Sequence, residues 1–458
     1  MSMEALPCLE GQVVAVPFPT RGHVNPMMHL CKFLVQKTTN VIITFVVTEE
    51  WLGYIESYPK PNNIRYATIP NVIPLENQIL DDIFRFSEAI VTNMRGAFEQ
   101  FLDQLELPVT AIIADVELVW PTAVAKQRNM PVALLWTMSA AFFCTYLQLD
   151  VVLPGRRSAA DLLDEEAEHI KGITSSQLID IQKLLHELDP RVLNIGLDCI
   201  PEIAKADYLL INTIQELEAE QINYLKAKSP FRVYPIGPAI PFLELETPNG
   251  DSSTKWLDCQ PNLSVLYISL GSFCSMSHAQ MEELASALKT SGISFLWACR
   301  SDAEWLKEKC GDKGLVVPWC DQLKVLCHAS IVGFWSHCGW NSILEAFFAG
   351  VPVLGFPLFL DQFSNCRHID EVWKNGRKVG GEKSADFVTK EEIFKVIKMV
   401  MDLENREGKK MRDRAKEIKA LSRRAIAKGG SSSFNLNLHA FIQDIFGQQV
   451  ELGPLQKP

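Results

Sequence analysis

Residues 319–362 read Trp319-Cys320-Asp321-Gln322, a helical run to His328, and an apolar run Ile331-Val332-Gly333-Phe334-Trp335-Ser336. Then come His337-Cys338-Gly339-Trp340-Asn341-Ser342, a helical run to Ala349, the turn Gly350-Val351-Pro352, an apolar run from Val353 to Phe356, and Asp361-Gln362. The pattern is strand, glycine-containing turn, helix, strand. Gly339 allows a ligand close to the backbone. Asn341 and Ser342 stand where the helix begins, and a helix N-terminus offers N–H groups and a positive dipole end to a phosphate. Asn341 and Glu345 are four apart and share a helix face, about 6 Å apart along the axis. An anion site one turn from a carboxylate suits a diphosphate followed by a ribose, whose hydroxyls donate to the acid.

The rest of the chain extends this pattern. Apolar runs at residues 13–16, 41–47, 65–69, 110–114, 132–135 and 207–212 alternate with helical patterns, among them an amphipathic stretch at 79–105. Short buried strands between helices predict a doubly wound α/β sheet. Residues 241–255 hold Pro241, Pro248, Asn249, Gly250 and Ser252-Ser253, a linker composition. Strand patterns resume at 265–269, 295–298 and 316–317. The expected organisation is a first domain at 1–240, a linker at 241–255 and a second domain at 256–433. Thr389 and Glu392 form a capping box before a helix. Residues 149–198 show no clean period and read as helices and loops.

The chain has 458 residues, enough for two cored domains. It is 47% hydrophobic and 22% charged, as ordinary globular proteins are. A net charge of −11 argues against a nucleic-acid or anionic-membrane surface. The 12 cysteines show no Cys-x-x-Cys pair or zinc spacing, which fits free thiols in a reducing compartment. No run of 18 apolar residues suits a membrane span. No basic-then-apolar leader is visible, and a cytoplasmic, monomeric protein is expected.

Open α/β sheets bind ligands at the carboxyl ends of their strands. Five such ends carry polar groups or a glycine turn: His23, Asp115, Trp136-Thr137, Gly271-Ser272 and His337. Moving a group from a diphosphate to a hydroxyl requires a base, stabilisation of the leaving diphosphate, and the group held for attack. His23 suits the base, since a helix N-terminus disfavours imidazolium and keeps the ring neutral and basic. Asp115 can orient the imidazole. His29, His328 and Cys338 read as structural, and Arg423-Arg424 as a solvated face.

The 44 residues from Trp319 to Gln362 closely resemble the donor-sugar box of plant family 1 glycosyltransferases. The match rests on Trp319, Gln322, His328, residues 337–342, Glu345, residues 350–352, Pro357 and Asp361-Gln362. It departs at Cys320-Asp321, where the family usually has Ala-Pro. The resemblance implies a B-type glycosyltransferase fold, two Rossmann-like doubly wound domains facing across a cleft. A last helix at about 434–458 would pack back on the first domain.

The resemblance also implies residue roles. Residues 22–26 match the segment of a catalytic histidine, and residues 113–115 that of its aspartate partner, giving His23 and Asp115. Trp319 would stack on uracil, Cys320 would meet it through its backbone, and Gln322 and Glu345 would lie near the ribose. Ser272, His337, Asn341 and Ser342 match diphosphate contacts. Trp340, Asp361 and Gln362 match sugar contacts, and Thr137 a residue near the donor. Gln362 accompanies glucose in the family.

The expected activity is inverting transfer from UDP-glucose to a hydroxyl or carboxyl of a small lipophilic acceptor, such as a flavonoid, phenolic, terpenoid or hormone. No cofactor or metal is expected, because the phosphate site resembles a helix N-terminus and not paired carboxylates. The acceptor site is expected from residues 84–90, Phe142-Phe143 and the stretch after Leu149. Two alternatives remain. A nucleotide-sugar epimerase of the same fold would want carboxylates around the sugar. A non-catalytic UDP-sugar binder would have no use for a His23–Asp115 pair.

Overall fold

The computed structural model describes residues 11–38, 40–71, 83–152, 175–245, 252–271, 276–300, 302–380, 387–427 and 433–447. The chain forms two compact units, Met1–Ala239 with Ala425–Pro458, and Ile240–Arg424.

The first unit holds seven strands: β1 (Gly11–Val16), β2 (Val41–Thr48), β3 (Ile64–Ile69), β4 (Val109–Asp115), β5 (Val132–Trp136), β6 (Tyr208–Ile211) and β7 (Arg232–Pro235). All pairs are parallel, in the order β3-β2-β1-β4-β5-β6-β7. Every residue of β2 is buried, as expected for a parallel sheet covered on both faces. The strand order reverses between β1 and β4. Val16 pairs with Ala114 there, so the two strands end side by side.

The second unit repeats the plan with β8 (Val265–Ser269), β9 (Ser294–Ala298), β10 (Gly314–Val317), β11 (Ile331–Ser336), β12 (Val353–Gly355) and β13 (Gly376–Lys378). The order is β10-β9-β8-β11-β12-β13, again all parallel. Here the reversal falls between β8 and β11, with Ser269 opposite Ser336. Phe295, Trp297 and Trp335 fill the core together with Ile393, Ile397 and Val400 of the helix Lys390–Met401. That helix opens on the expected capping box. Thr389 Oγ1 accepts from the Glu392 N–H, and Glu392 Oε2 accepts from the Thr389 N–H at 2.9 Å. Each unit is a Rossmann-like α/β layer structure.

Three features differ from the sequence reading. Strands β7 and β13 have only four and three residues, too short for periodicity to show. Residues 241–255 are only partly a linker. Phe242 stacks on Phe348 at 6.1 Å, and Ser252–Asp258 is a helix with Ser253 and Leu257 fully buried. Ile240 and the residues after it therefore belong to the second unit. Finally, the chain returns to the first unit at Ala425, inside the helix Arg406–Ile426, not at 434.

The last helix, Ser433–Phe446, packs on the first unit. Phe441 meets Tyr208 and Tyr234 at 5.8 and 5.7 Å, and Asn437 Nδ2 donates to the Pro235 carbonyl at 3.0 Å. Tyr234 and Arg232 both engage Asp444. Among the described residues no helix is long and apolar enough to cross a membrane.

Candidate active site

In the first unit the reactive groups gather at the β1/β4 reversal, where open α/β sheets place ligands. His23 lies in the first turn of the helix Arg21–Lys37, whose start is set by Val24 N–H donating to the Thr20 carbonyl at 2.8 Å. Asp115 ends β4 and is 1% exposed. His23 Nδ1 stands 2.8 Å from Asp115 Oδ2. A carboxylate there favours the tautomer with its proton on Nδ1, which leaves the lone pair on Nε2. The Thr137 hydroxyl lies 3.2 Å from the same Nδ1. Phe18 lies 5.3 Å from the imidazole and 5.8 Å from Phe86, an apolar wall beside the ring.

In the second unit the helix Trp340–Ala349 follows β11, with Gly339 as its N-cap. Gln322 ties the network together. Its amide donates to Ser342 Oγ at 2.9 Å and to Glu345 Oε2 at 2.7 Å, and its oxygen accepts from the Tyr267 hydroxyl at 3.2 Å. Burial pushes the Glu345 carboxyl up to about 7, opposed by the Gln322 hydrogen bond and aided by Asp321. The imidazole of His337 lies against two glycines. A Cβ at Gly271 would come 2.7 Å from Nε2, and one at Gly339 2.4 Å. Any larger residue at either position would displace the ring. Gly271 also has φ +80°, which favours glycine. Burial pulls His337 down to about 4, so it is neutral at physiological pH, and its enclosed Nδ1 has no partner among the described residues.

Asn365 joins two turns of this site. Its amide donates to Asp361 Oδ2 at 2.7 Å and to the Cys338 carbonyl at 3.0 Å. Gln362 Oε1 accepts from the Leu358 and Phe359 N–H groups at 2.8 and 3.0 Å, so its amino group is what it can offer a ligand.

Residues 207–412 match the family described as UDP-glucoronosyl and UDP-glucosyl transferase. UDP-glycosyltransferase 87A1 of Arabidopsis thaliana is 45% identical over 440 residues, 94% of this chain and 99% of the relative. The chain belongs to plant family 1 of the UDP-glycosyltransferases. Two solved structures share the fold at 26% identity. Medicago truncatula UGT71G1 complexed with UDP-glucose superposes with a TM-score of 0.78, over 95% of this chain and 98% of that one. Phytolacca americana UGT2 complexed with UDP-2fluoro-glucose and pterostilbene gives 0.76, over 96% and 100%. The two Rossmann-like units are thus those of the B-type glycosyltransferase fold.

In this glycosyltransferase the two box tryptophans part company. Trp319 is 57% exposed, in reach of a flat ligand. The Trp340 indole is 3% exposed, packed on Trp373 and Phe347, so any sugar contact from it comes through its backbone. Cys320 is buried with its thiol 3.4 Å from the Tyr267 hydroxyl. Thr137, expected near the donor, has its hydroxyl 3.2 Å from His23 Nδ1. Phe142 and Phe143 pack on Trp136 at 6.1 and 4.9 Å and belong to the core, not to an acceptor wall. Ser272 and residues 153–174 lie outside the described residues. Asn341 lies in the first turn of the helix Trp340–Ala349, where the sequence places it.

Three residues of the UDP-glycosyltransferase site escaped the sequence reading of roles. Asn365 is one. Glu218 is another: 2% exposed, it accepts from the Ala140 and Ala141 N–H groups at 2.9 Å each and from the Thr213 hydroxyl. It thereby caps the helix Ala140–Val152 from 78 residues away and fixes the turn carrying Thr137. The third is Glu117, beside His23.

Proposed function

We propose that the protein is an inverting glucosyltransferase that moves glucose from UDP-glucose to a hydroxyl of a small lipophilic acceptor, with His23 as general base. The observation that carries this is the 2.8 Å contact of His23 Nδ1 with Asp115, which aims the lone pair of Nε2 outward. The acceptor O–H bond breaks, its proton goes to Nε2, and the oxygen attacks the anomeric carbon. The bond from that carbon to the diphosphate breaks, and UDP leaves with the electron pair. Asp115 stabilises the imidazolium as it forms.

For the donor, the helix N-terminus at Trp340-Asn341-Ser342 and His337 face the diphosphate, with Ser272 assigned beside them from the sequence. Glu345 and Gln322 take the ribose, Trp319 and the Cys320 backbone the uracil, and Asp361 and Gln362 the glucose. A neutral His337 acts as a hydrogen-bonding group, not as a countercharge. The neighbour UGT71G1 was solved with UDP-glucose, and Phytolacca americana UGT2 with UDP-2fluoro-glucose and pterostilbene.

The test is transfer to a panel of phenols from UDP-glucose, UDP-galactose and UDP-glucuronate, with the product's anomeric configuration read by NMR. UDP-glucose is expected to give the highest kcat/KM and a β-linked product. An α-linked product, or several-fold preference for another donor, overturns the reading.

A further inference from the structure

Glu117 follows Asp115 by two residues in the loop after β4. Its N–H donates to Asp115 Oδ1 at 3.0 Å, so the same carboxylate that orients His23 also fixes the Glu117 backbone. The Glu117 carbonyl lies 3.7 Å from the Cys199 thiol of the helix Pro190–Ile203. The Glu117 carboxylate then comes to 3.9 Å from His23 Nε2, the nitrogen on the side opposite Asp115. Its side chain is 28% exposed, against 1% for Asp115. Burial and the neighbouring Asp115 push its carboxyl pKa up, while His23 opposes them.

A hydroxyl that gives its proton to Nε2 must therefore sit beside Glu117. A lone hydroxyl has one proton for two competing acceptors, Nε2 and Oε2. When it donates to Glu117 it is turned away from the base. Two hydroxyls on adjacent carbons remove the conflict. Their oxygens stand about 2.8 Å apart, close to hydrogen-bond spacing. One can reach Nε2 and the other Oε2 across the 3.9 Å gap, each at about 2.8 Å. A carboxylate next to the reacting oxygen meets the opposite situation, a like charge with no proton to share.

We infer that Glu117 is a specificity-determining residue that selects neutral acceptors bearing a second hydroxyl adjacent to the one that is glucosylated, and disfavours acceptors with a carboxylate there. This deepens the reading of the protein as a glucosyltransferase with His23 as base and rests on it. It also narrows the hydroxyl-or-carboxyl acceptor expected from sequence to the hydroxyl side.

The experiment compares 3,4-dihydroxybenzaldehyde, 4-hydroxybenzaldehyde and 2-hydroxybenzoate as acceptors for the wild type, Glu117→Gln and Glu117→Ala. Both kcat/KM and acceptor affinity by calorimetry in the presence of UDP are measured. The wild type should favour the dihydroxy compound over the monohydroxy one by about ten-fold or more, as for a hydrogen bond to a charged group. Both variants should lose most of that preference and gain several-fold on 2-hydroxybenzoate, with UDP affinity unchanged. UDP affinity and the far-ultraviolet circular dichroism of each variant show that it is folded. No dihydroxy preference in the wild type, or an equal preference in both variants, overturns the inference. If the wild type transfers glucose to none of the three, the proposed function fails separately, and the calorimetric preference still decides the role of Glu117.

Discussion

His23 Nδ1 lies 2.8 Å from Asp115 Oδ2 although 92 residues separate them in the chain. The parallel pairing of β1 with β4 makes this possible, because it brings the carboxyl ends of both strands to one place. Asp115 is almost wholly buried, while the His23 ring keeps 14% of its surface open. The arrangement suits a base whose inner nitrogen is held and whose outer nitrogen meets the substrate.

Loss of the base should be graded by acceptor acidity. His23→Ala is expected to lose at least about a hundred-fold in kcat on weakly acidic alcohols, the usual contribution of a general base. Phenols already ionised at the assay pH should lose far less. UDP affinity by calorimetry should be unchanged. Asp115→Ala should lose less than His23→Ala, since the ring remains but is poorly oriented. A uniform loss across phenols of graded pKa would argue against the assignment.

Glu345 is expected to make donor binding pH-dependent. Burial raises its carboxyl from 4.5 to about 7, and hydroxyls donating to the carboxylate would bring it down again. Binding UDP then releases a proton, so affinity should rise as pH climbs from about 5 to 7 and level off above. In the unliganded protein the sign is opposite. The folded form holds this proton more tightly than the unfolded chain, so Glu345 favours the fold at low pH, and that contribution is lost as pH rises through about 7. Calorimetry in buffers of different ionisation enthalpy measures the proton release. Glu345→Gln should abolish it and weaken UDP binding, and persistence of the pH slope in that variant would remove Glu345 as its source.

Glu218 should matter to both stability and turnover without touching substrate. Glu218→Ala leaves the Ala140 and Ala141 N–H groups unpaired in the interior, at about 1–3 kcal/mol for each buried group. Urea unfolding should show at least about 2 kcal/mol of destabilisation. Transfer should fall as the turn bearing Thr137 loosens, while UDP affinity stays constant. A change below about 0.5 kcal/mol, the usual scatter of surface substitutions, would show that the cap is replaceable.

Transfer is expected to proceed without added metal, since a helix N-terminus is the group assigned to the diphosphate. Among the described residues no three His, Cys, Asp or Glu side chains are grouped to hold an ion. Activity after treatment with EDTA and desalting is the measurement. Loss of activity that returns with Mg²⁺ or Mn²⁺ would replace this account of leaving-group stabilisation.

Local features were readable in the chain wherever the interaction spans a few residues. Asn341 and Glu345 lie one helical turn apart because four positions make about one turn. The capping box at Thr389 and Glu392 is likewise a three-residue relation, and it formed as written. The apolar runs predicted most strands, and the glycines at 271 and 339 stand where a ring must pass close to the backbone.

What tertiary structure alone decided were relations between segments far apart in sequence. Trp319 and Trp340 both adjoin polar turns, yet one is open and the other sealed under Trp373, because burial depends on what a distant helix covers. Glu218 shows its role as a cap only once the β5–β6 pairing sets its carboxylate against the N-terminus of another helix. Glu117 is similarly anonymous until β4 lies beside β1 and sets it opposite the base. Hydrophobic period follows from the geometry of one element at a time, so sequence determines which elements form and which of their faces are buried. Strand order and register follow from how those faces close on one another, and they decide which charged side chains share a site.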